Sequence, residues 1–349
     1  MTPKPVSVQP GKSMGDSPVL SRRGFAPWEV ALWASMPLVV IVLFPGYYLL
    51  ASQVAIMALF AMSLDLLVGY AGVVSLGHAA FFGIGAYAAG LLAVAGWRDP
   101  VGGLLVSGVL AGMAGCLLSF VVVRVRHLAQ LMVTLGIGLV VFEAATRMRW
   151  LTGGDDGLHG ISLSPLLGLF EFDFWGRTAF VYAYVVLLAC FLVFSRITAS
   201  PFGLALKGVR ENADRMAAIG TPVQARLRMA YAMAAAFAGV AGALLTQTTQ
   251  FVSPEVLSFH LSAEVLIMLV LGGAGHRYGG LVGALVFLLA RDFMAGISPH
   301  FWQFGVGAVM VLVVLGAPGG VLGGLAGLWR RRRQPSQKST ALGRSQGSP

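Results

Sequence analysis

The sequence has few charged residues for its length. Only 11% of its 349 residues are Asp, Glu, Lys or Arg, whereas 57% are hydrophobic. The mean hydropathy is +0.81. A soluble domain carries about twice this share of charge, so the balance excludes an ordinary soluble protein. It predicts an all-α polytopic protein whose helices cross a membrane.

The sequence also has little of what metal and disulfide chemistry requires. Its two cysteines, Cys116 and Cys190, both lie inside apolar runs, which is typical of small buried side chains. The six histidines are scattered over loops and span ends. Neither an H-E-x-x-H motif nor a Cys/His cluster with zinc spacing is present. We therefore expect no bound metal and no cofactor.

The motifs of several enzyme classes are missing as well. There is no G-x-x-x-x-G-K-[ST] phosphate loop, so we expect that the chain does not hydrolyse ATP itself. The segment from Gly72 to Gly77 reads GVVSLG, which is not a nucleophile elbow. The apolar segments contain almost no ionisable residues, whereas intramembrane enzymes and proton-driven carriers need them. These absences predict a protein that is not an enzyme and argue against a proton-coupled carrier.

The apolar segments predict ten membrane spans between two polar tails. Residues 1–27 are rich in Pro, Ser and basic side chains and are predicted to form a disordered cytoplasmic tail. Residues 28–325 form the predicted membrane domain, and 326–349 a second basic cytoplasmic tail. The predicted spans are 28–45, 47–67, 78–97, 101–123, 128–145, 179–197, 228–249, 262–275, 279–296 and 302–318.

The distribution of basic residues predicts the orientation of these spans. With the N-terminus inside, nineteen of the 24 Lys and Arg residues lie in tails or loops on the cytoplasmic side. Basic residues accumulate on that side of membrane proteins, so both termini are predicted to be cytoplasmic and 146–178 external. The same rule accounts for the net charge of +10, and we expect no nucleic-acid partner.

A basic loop, residues 199–228, is the longest interval between two apolar segments that is both polar and basic. It holds five Lys and Arg residues against two Asp and Glu residues. Its centre, Asn212 to Ile219, is predicted to form a short helix that Gly220 ends before Pro222. Such a helix at the cytoplasmic face is suited to docking into a groove of a partner. An ordinary topogenic basic loop is the alternative.

Glycine is concentrated where the second and third spans meet. This density predicts non-helical backbone and close helix packing. Non-helical backbone at membrane depth is tolerated where it is buried in protein or lines a cavity. The residues that would line a path for a polar solute are Gly72, Ser75, Gly77, His78, Gly83 and Gly85. The alternative is that these glycines serve only helix packing.

Four stretches resemble the permeases of branched-chain amino acid ABC importers. They are GYAGVVSLGHAAFFGIGAY at 69–87, LMVTLGIGLVVFE at 131–143 with LTGGDDGLHGI at 151–161, the basic loop, and LGGAG at 271–275. The second of these resembles the M-type subunit rather than its H-type partner. The resemblance covers residues 28–325. One departure is Asp65, where relatives usually carry a neutral polar residue; its role is left open between an effect on the substrate and contact with water.

The resemblance implies a multi-pass subunit of the bacterial inner membrane. Its implied partners are a homologous H-type permease, two cytoplasmic ATPase subunits and a periplasmic substrate-binding protein. The implied substrates are branched-chain or related amino acids, with urea, amides or aromatic acids as the alternative, and a stand-alone channel or carrier as the alternative of another class. The residues implied to contact an ATPase subunit are Arg210, Glu211, Asn212, Ala213, Asp214, Arg215, Ala217 and Gly220.

The orientation is open to cysteine labelling. In a variant without Cys116 and Cys190, a cysteine at position 156 is expected to react with a membrane-impermeant maleimide in cells whose outer membrane has been permeabilised. A cysteine at position 218, in the basic loop, is expected to react only after lysis, because the charge distribution places it inside. The opposite pattern of labelling would reverse the topology.

Overall fold

The computed structural model describes residues 27–43, 46–125, 128–165, 176–297, 304–305, 307–308 and 320–324. These residues are mainly helical, with one isolated antiparallel bridge between Leu158 and Val252. The helices are α1 Pro27–Leu43, α2 Tyr48–Asp65, α3 Ala79–Val94, α4 Pro100–Val122, α5 Leu128–Arg147, α6 Arg149–Thr152, α7 Arg177–Ala199, α8 Pro201–Glu211, α9 Ala213–Ala218, α10 Val223–Thr249, α11 Phe259–Gly272 and α12 Gly279–Ile297.

Nine of the ten predicted spans coincide with helices of the described residues. Six helical stretches are long and apolar enough to cross a membrane, and α3 and α11 are shorter apolar helices. The tenth predicted span, 302–318, lies largely outside the described residues, as do the tails 326–349 and 1–27 apart from Pro27. The helical membrane fold agrees with the prediction, while the count of ten spans and the cytoplasmic termini stay predictions.

Helix α10 lies at the centre of the bundle and packs against α2, α3 and α4. Its buried surface consists mostly of alanine and glycine, which lets neighbouring backbones approach closely. A Cβ atom added at Gly242 would overlap the carbonyl oxygen of Phe82 on α3. One added at Gly239 would overlap the methyl group of Ala111 on α4. The small residues of α10 therefore set how close three helices come together.

Helix α2 does not run directly into α3. It continues as a π-helical turn, Leu66–Ala71, which ends at Gly72 in the left-handed region with φ 73°. The backbone then stays non-helical until α3 begins at Ala79. We call residues 72–78 the broken segment. It confirms the non-helical backbone predicted from the glycine density.

Four polar elements meet at one end of the bundle. The Glu29 carboxylate at the start of α1 lies 3.7 Å from the Arg277 guanidinium in the loop between α11 and α12. The N–H of Gly275 in the same loop donates to Asp65 at the end of α2. Arg210 of the basic loop donates to the carbonyl of Gly69. These contacts hold the start of α1, the α11–α12 loop and the basic loop close to the end of α2. The charge distribution predicted that the first three lie at the cytoplasmic side.

A pair of glycine substitutions tests the packing of α10. Gly242→Ala is expected to destabilise the protein by about 1–3 kcal/mol, because the new methyl group overlaps backbone atoms of α3. Gly136→Ala on α5 is the matched control, since a Cβ there meets no neighbouring atom. It is expected to be neutral or to stabilise by up to about 1 kcal/mol. Thermal unfolding of both variants in detergent measures the difference, and equal stability would contradict the packing.

Candidate coupling and translocation site

The basic loop contains two helices where the sequence analysis predicted one. The additional helix, α8, begins with Pro201 and ends at Glu211. It buries Gly203, Leu206 and Val209, which are spaced three residues apart and form one face. The signals that could have revealed it are Pro at the first helical position and this apolar spacing. Sequence reasoning missed α8 because basic residues occupy its other face.

Helix α9 corresponds to the predicted short helix. The side-chain Oδ1 of Asn212 accepts a hydrogen bond from the N–H of Arg215 at 2.8 Å and caps the start of the helix. The helix ends at Ala218, and Gly220 adopts φ 87°, a conformation that disfavours residues with a Cβ. The predicted role of Gly220 in ending the helix is confirmed.

Helix α9 is turned away from the bundle. None of its residues is buried, and Ile219 directly after it is 70% exposed. Of the predicted contact residues, Ala213 is half-buried and the others are exposed: Arg210, Glu211, Asn212, Asp214, Arg215, Ala217 and Gly220. The structure thus gathers these residues at one turn of the loop.

Arg210 has a partner inside the protein as well as an exposed surface. Its guanidinium Nη1 donates to the carbonyl of Gly69 in the π-helical turn. Nearby, the Asp65 side chain is only 1% exposed, and its Oδ1 accepts from the Gly275 N–H at 2.7 Å. Of the two roles left open for Asp65, contact with water at the span end is therefore wrong.

Hydroxyl groups from three helices hold the broken segment and the first residue of α3. The Ser63 Oγ of α2 lies 2.9 Å from the Nε2 of His78. Thr134 Oγ1 of α5 accepts from the Leu76 N–H at 3.2 Å, and Ser262 Oγ of α11 accepts from the Ala79 N–H at 3.0 Å. Ser63, Thr134 and Ser262 are functional candidates that the sequence analysis did not identify, because single hydroxyl residues in apolar helices have no pattern of their own.

The two polar path candidates, Ser75 and His78, are both fully buried. The His78 ring stacks on the Phe60 ring with centroids 5.6 Å apart. Its Nδ1 is buried without a hydrogen-bond partner among the described residues. The broken segment thus contains a backbone N–H that donates to Thr134 and a buried ring nitrogen, His78 Nδ1, that has no hydrogen-bond partner among the described residues.

The glycines predicted to line a path make close contacts in this conformation. Cβ atoms added to them would overlap the Thr134 carbonyl for Gly77, the Leu257 side chain for Gly83, and Gly239 for Gly85. Such contacts are what the packing alternative predicts for each of these positions. Their role in a path stays a prediction.

A cavity of about 820 Å³ lies between the broken segment and the basic loop. Its walls come from residues 71–74, from 123–125, 128, 130 and 131 around the α4–α5 turn, and from 209–214 of α8 and α9. Arg124, Gln130 and Gln224 add polar groups to the lining. The cavity therefore connects the exposed turn of the basic loop to the start of the broken segment.

These features define a multi-pass helical membrane protein with an interrupted helix at its core and an exposed helix at one end. Residues 47–314 match the family described as the permease component of the branched-chain amino acid transport system. The match spans most of the chain, which belongs to this family of membrane permeases.

Individual relatives support the same assignment. The chain is 31% identical to the high-affinity branched-chain amino acid transport system permease protein LivM of Escherichia coli K12, over 78% of this chain and 69% of the relative. Identity and coverage are the same for LivM of Salmonella typhimurium. Identity to the E. coli permease protein LivH is 23%, over 76% of this chain and 91% of the relative. The predicted M-type character is confirmed, and no solved structure shows significant similarity.

Crowding of the broken segment tests the path hypothesis. Gly77→Val is expected to abolish amino-acid uptake with only a modest loss of protein from the membrane, because a branched side chain would displace this segment from α5. Gly138→Val crowds the same contact from the α5 side, where a Cβ would lie 3.1 Å from the Gly77 Cα. Uptake assays and immunoblots distinguish the outcomes. If both variant proteins are lost from the membrane, the result supports helix packing as the only role of Gly77.

Proposed function

We propose that this chain is the M-type permease subunit of an ATP-driven importer in the bacterial inner membrane. Its substrates are branched-chain or related amino acids. Its partners are a homologous H-type permease, two cytoplasmic ATPase subunits and a periplasmic binding protein that delivers the solute. The permease provides the path and the moving elements, and it performs no covalent chemistry.

The observation that carries this proposal is the exposure of α9 at the end of the basic loop. A helix without buried residues, followed by an exposed Ile219, has unsatisfied apolar surface. The small side chains of Ala217 and Ala218 allow close approach of a partner surface. Glu211, Asp214 and Arg215 surround them with charges that would set the register of docking more than its affinity. A loop that only sets the orientation of the neighbouring spans would need the charges but not a short exposed helix.

ATP enters the mechanism only through the partner subunits. When ATP closes the ATPase dimer, the docked α9 helices are displaced, and the permease changes between inward-facing and outward-facing arrangements. Physically this is a population shift, in which nucleotide favours the arrangement that binds it better. The residues proposed to make the contact run from Glu211 to Gly220, with Arg210 at the edge.

The substrate class follows from the family and the names of the relatives. Permeases for urea, amides or aromatic acids are the alternative within the same class. Uptake of radiolabelled leucine, isoleucine, valine, urea and phenylalanine by a deletion strain complemented with this gene distinguishes them. Transport that persists without any ATPase subunit would instead favour a stand-alone channel or carrier.

A matched pair of glycine variants tests the docking of α9. Gly220 and Gly160 both have positive φ, at 87° and 79°, and a Cβ at either position meets no neighbouring atom. Valine at each should therefore cost a similar backbone strain of about 1–2 kcal/mol. We expect Gly220→Val to reduce co-purification of the ATPase subunit and to stop leucine uptake, because the strain reorients α9. Gly160→Val, outside the basic loop, should do neither.

Two further variants separate shape from charge. Ala217→Trp is expected to weaken the complex through a clash, whereas Arg215→Gln should leave the complex intact. If Gly220→Val and Ala217→Trp both retain the complex and wild-type stimulated ATPase activity, α9 is not the docking helix. If Arg215→Gln alone is defective, the charge of the loop matters and its shape does not.

A further inference from the structure

The end of α2 receives contacts from two other parts of the chain. Arg210 reaches it from the basic loop, and Gly275 reaches it from the loop between α11 and α12. Gly69 is the point of convergence, because a Cβ there would overlap both the Asp65 carboxylate and the Gly275 nitrogen. Only a residue without a side chain allows this meeting of three segments.

Helices α8 and α9 are coupled to each other by packing. The Met216 side chain of α9 covers Gly208 of α8, with its sulfur 2.7 Å from where a Cβ of Gly208 would lie. Helix α8 in turn packs against α7, α10 and the π-helical turn. A displacement of α9 is therefore passed to α8, whose last turn contains Arg210.

Arg210 spans the boundary between helix and broken segment. Its guanidinium binds the carbonyl of Gly69 in the last part of the π-helical turn, where carbonyl groups lack intrahelical partners. The Arg210 Cγ lies 2.9 Å from where a Cβ of Gly72 would be. One side chain thus contacts both Gly69 in the π-helical turn and Gly72, the residue at which the broken segment begins.

Two further contacts strengthen this junction. The Lys207 ammonium lies 4.9 Å from the centroid of the Tyr70 ring, within range of a cation–π interaction. The positive charges of Arg210 and Lys207 both act on the buried Asp65 carboxyl group. Asp65 holds the Gly275 N–H, and the following loop leads directly into α12.

We infer that Arg210 is a positioning residue that transmits movement of the basic loop to the broken segment, through its hydrogen bond to the Gly69 carbonyl. This inference rests on the proposed function, and it assigns Arg210 a role inside the permease in addition to its place at the edge of the ATPase-facing surface. The receiving element is the junction of the π-helical turn with residues 72–78.

Arg210→Met tests the inference, because methionine keeps an unbranched apolar stem over Gly72 and removes the donor to Gly69. Arg226→Met is the matched control. It removes the same charge from the same loop, where the guanidinium lies 5.6 Å from the Phe202 ring centroid. Both variants are reconstituted in proteoliposomes as the complete importer, with the proposed H-type permease, ATPase and binding-protein partners.

We expect Arg210→Met to lower leucine transported per ATP hydrolysed by about tenfold or more, the scale of one lost charge-assisted hydrogen bond. ATPase co-purification and the melting temperature of the complex should match those of Arg226→Met. Arg210→Lys, which can still donate to the carbonyl, should restore part of the transport ratio.

Three results would overturn the inference. An unchanged transport ratio shows that the hydrogen bond transmits nothing. Loss of the ATPase subunit from Arg210→Met alone shows that Arg210 is a docking residue, which leaves the proposed function intact. A lower melting temperature with a proportional fall in all activities shows a purely structural role. Failure of the wild-type chain to bind any ATPase subunit would instead refute the proposed function itself.

Discussion

The arrangement at the basic-loop end depends on the hydrogen bond between the buried Asp65 carboxylate and the Gly275 N–H. A carboxyl group inside an apolar bundle is unfavourable unless it has hydrogen-bond partners and nearby positive charge. The 2.7 Å bond supplies the first, and Lys207 and Arg210 supply the second. Because Gly69 has no side chain, the loop that contains Gly275 lies directly on the π-helical turn. The end of α2, the basic loop and the start of α12 are thereby held in one unit.

The centre of the bundle obeys a different constraint, the small size of residues at helix crossings. Backbone contact at Gly242 and Gly239 leaves no free space, and tightly packed interfaces change between discrete arrangements rather than deforming gradually. The broken segment is the exception, because the hydroxyl groups of Ser63 and Thr134 contact it in place of helical backbone hydrogen bonds, and Ser262 binds the N–H of Ala79 where α3 begins. The bundle thus combines close helix contacts with one non-helical segment that side-chain hydroxyl groups contact.

Much of the fold was predictable from the sequence, and the reasons differ between elements. The long apolar runs predict helices because a backbone in lipid must satisfy its own hydrogen bonds. Gly220 and Asn212 predict the ends of α9 because turns and caps depend on neighbouring residues alone. Helix α8 was missed because its buried face consists of three residues within a basic stretch. The role of Asp65 was left open because burial at a span end depends on what covers it.

The sequence by itself determined the class of protein, the positions of the nine apolar helices that coincide with predicted spans, the break after α2 and the turn at Gly220. These features follow from composition and from interactions over a few residues. Only the tertiary structure decided the partners of Asp65 and Arg210, which lie 210 and 141 residues away along the chain. It also decided which backbone each glycine touches. Such contacts depend on how the helices cross, and neither local propensity nor hydrophobic periodicity specifies a crossing.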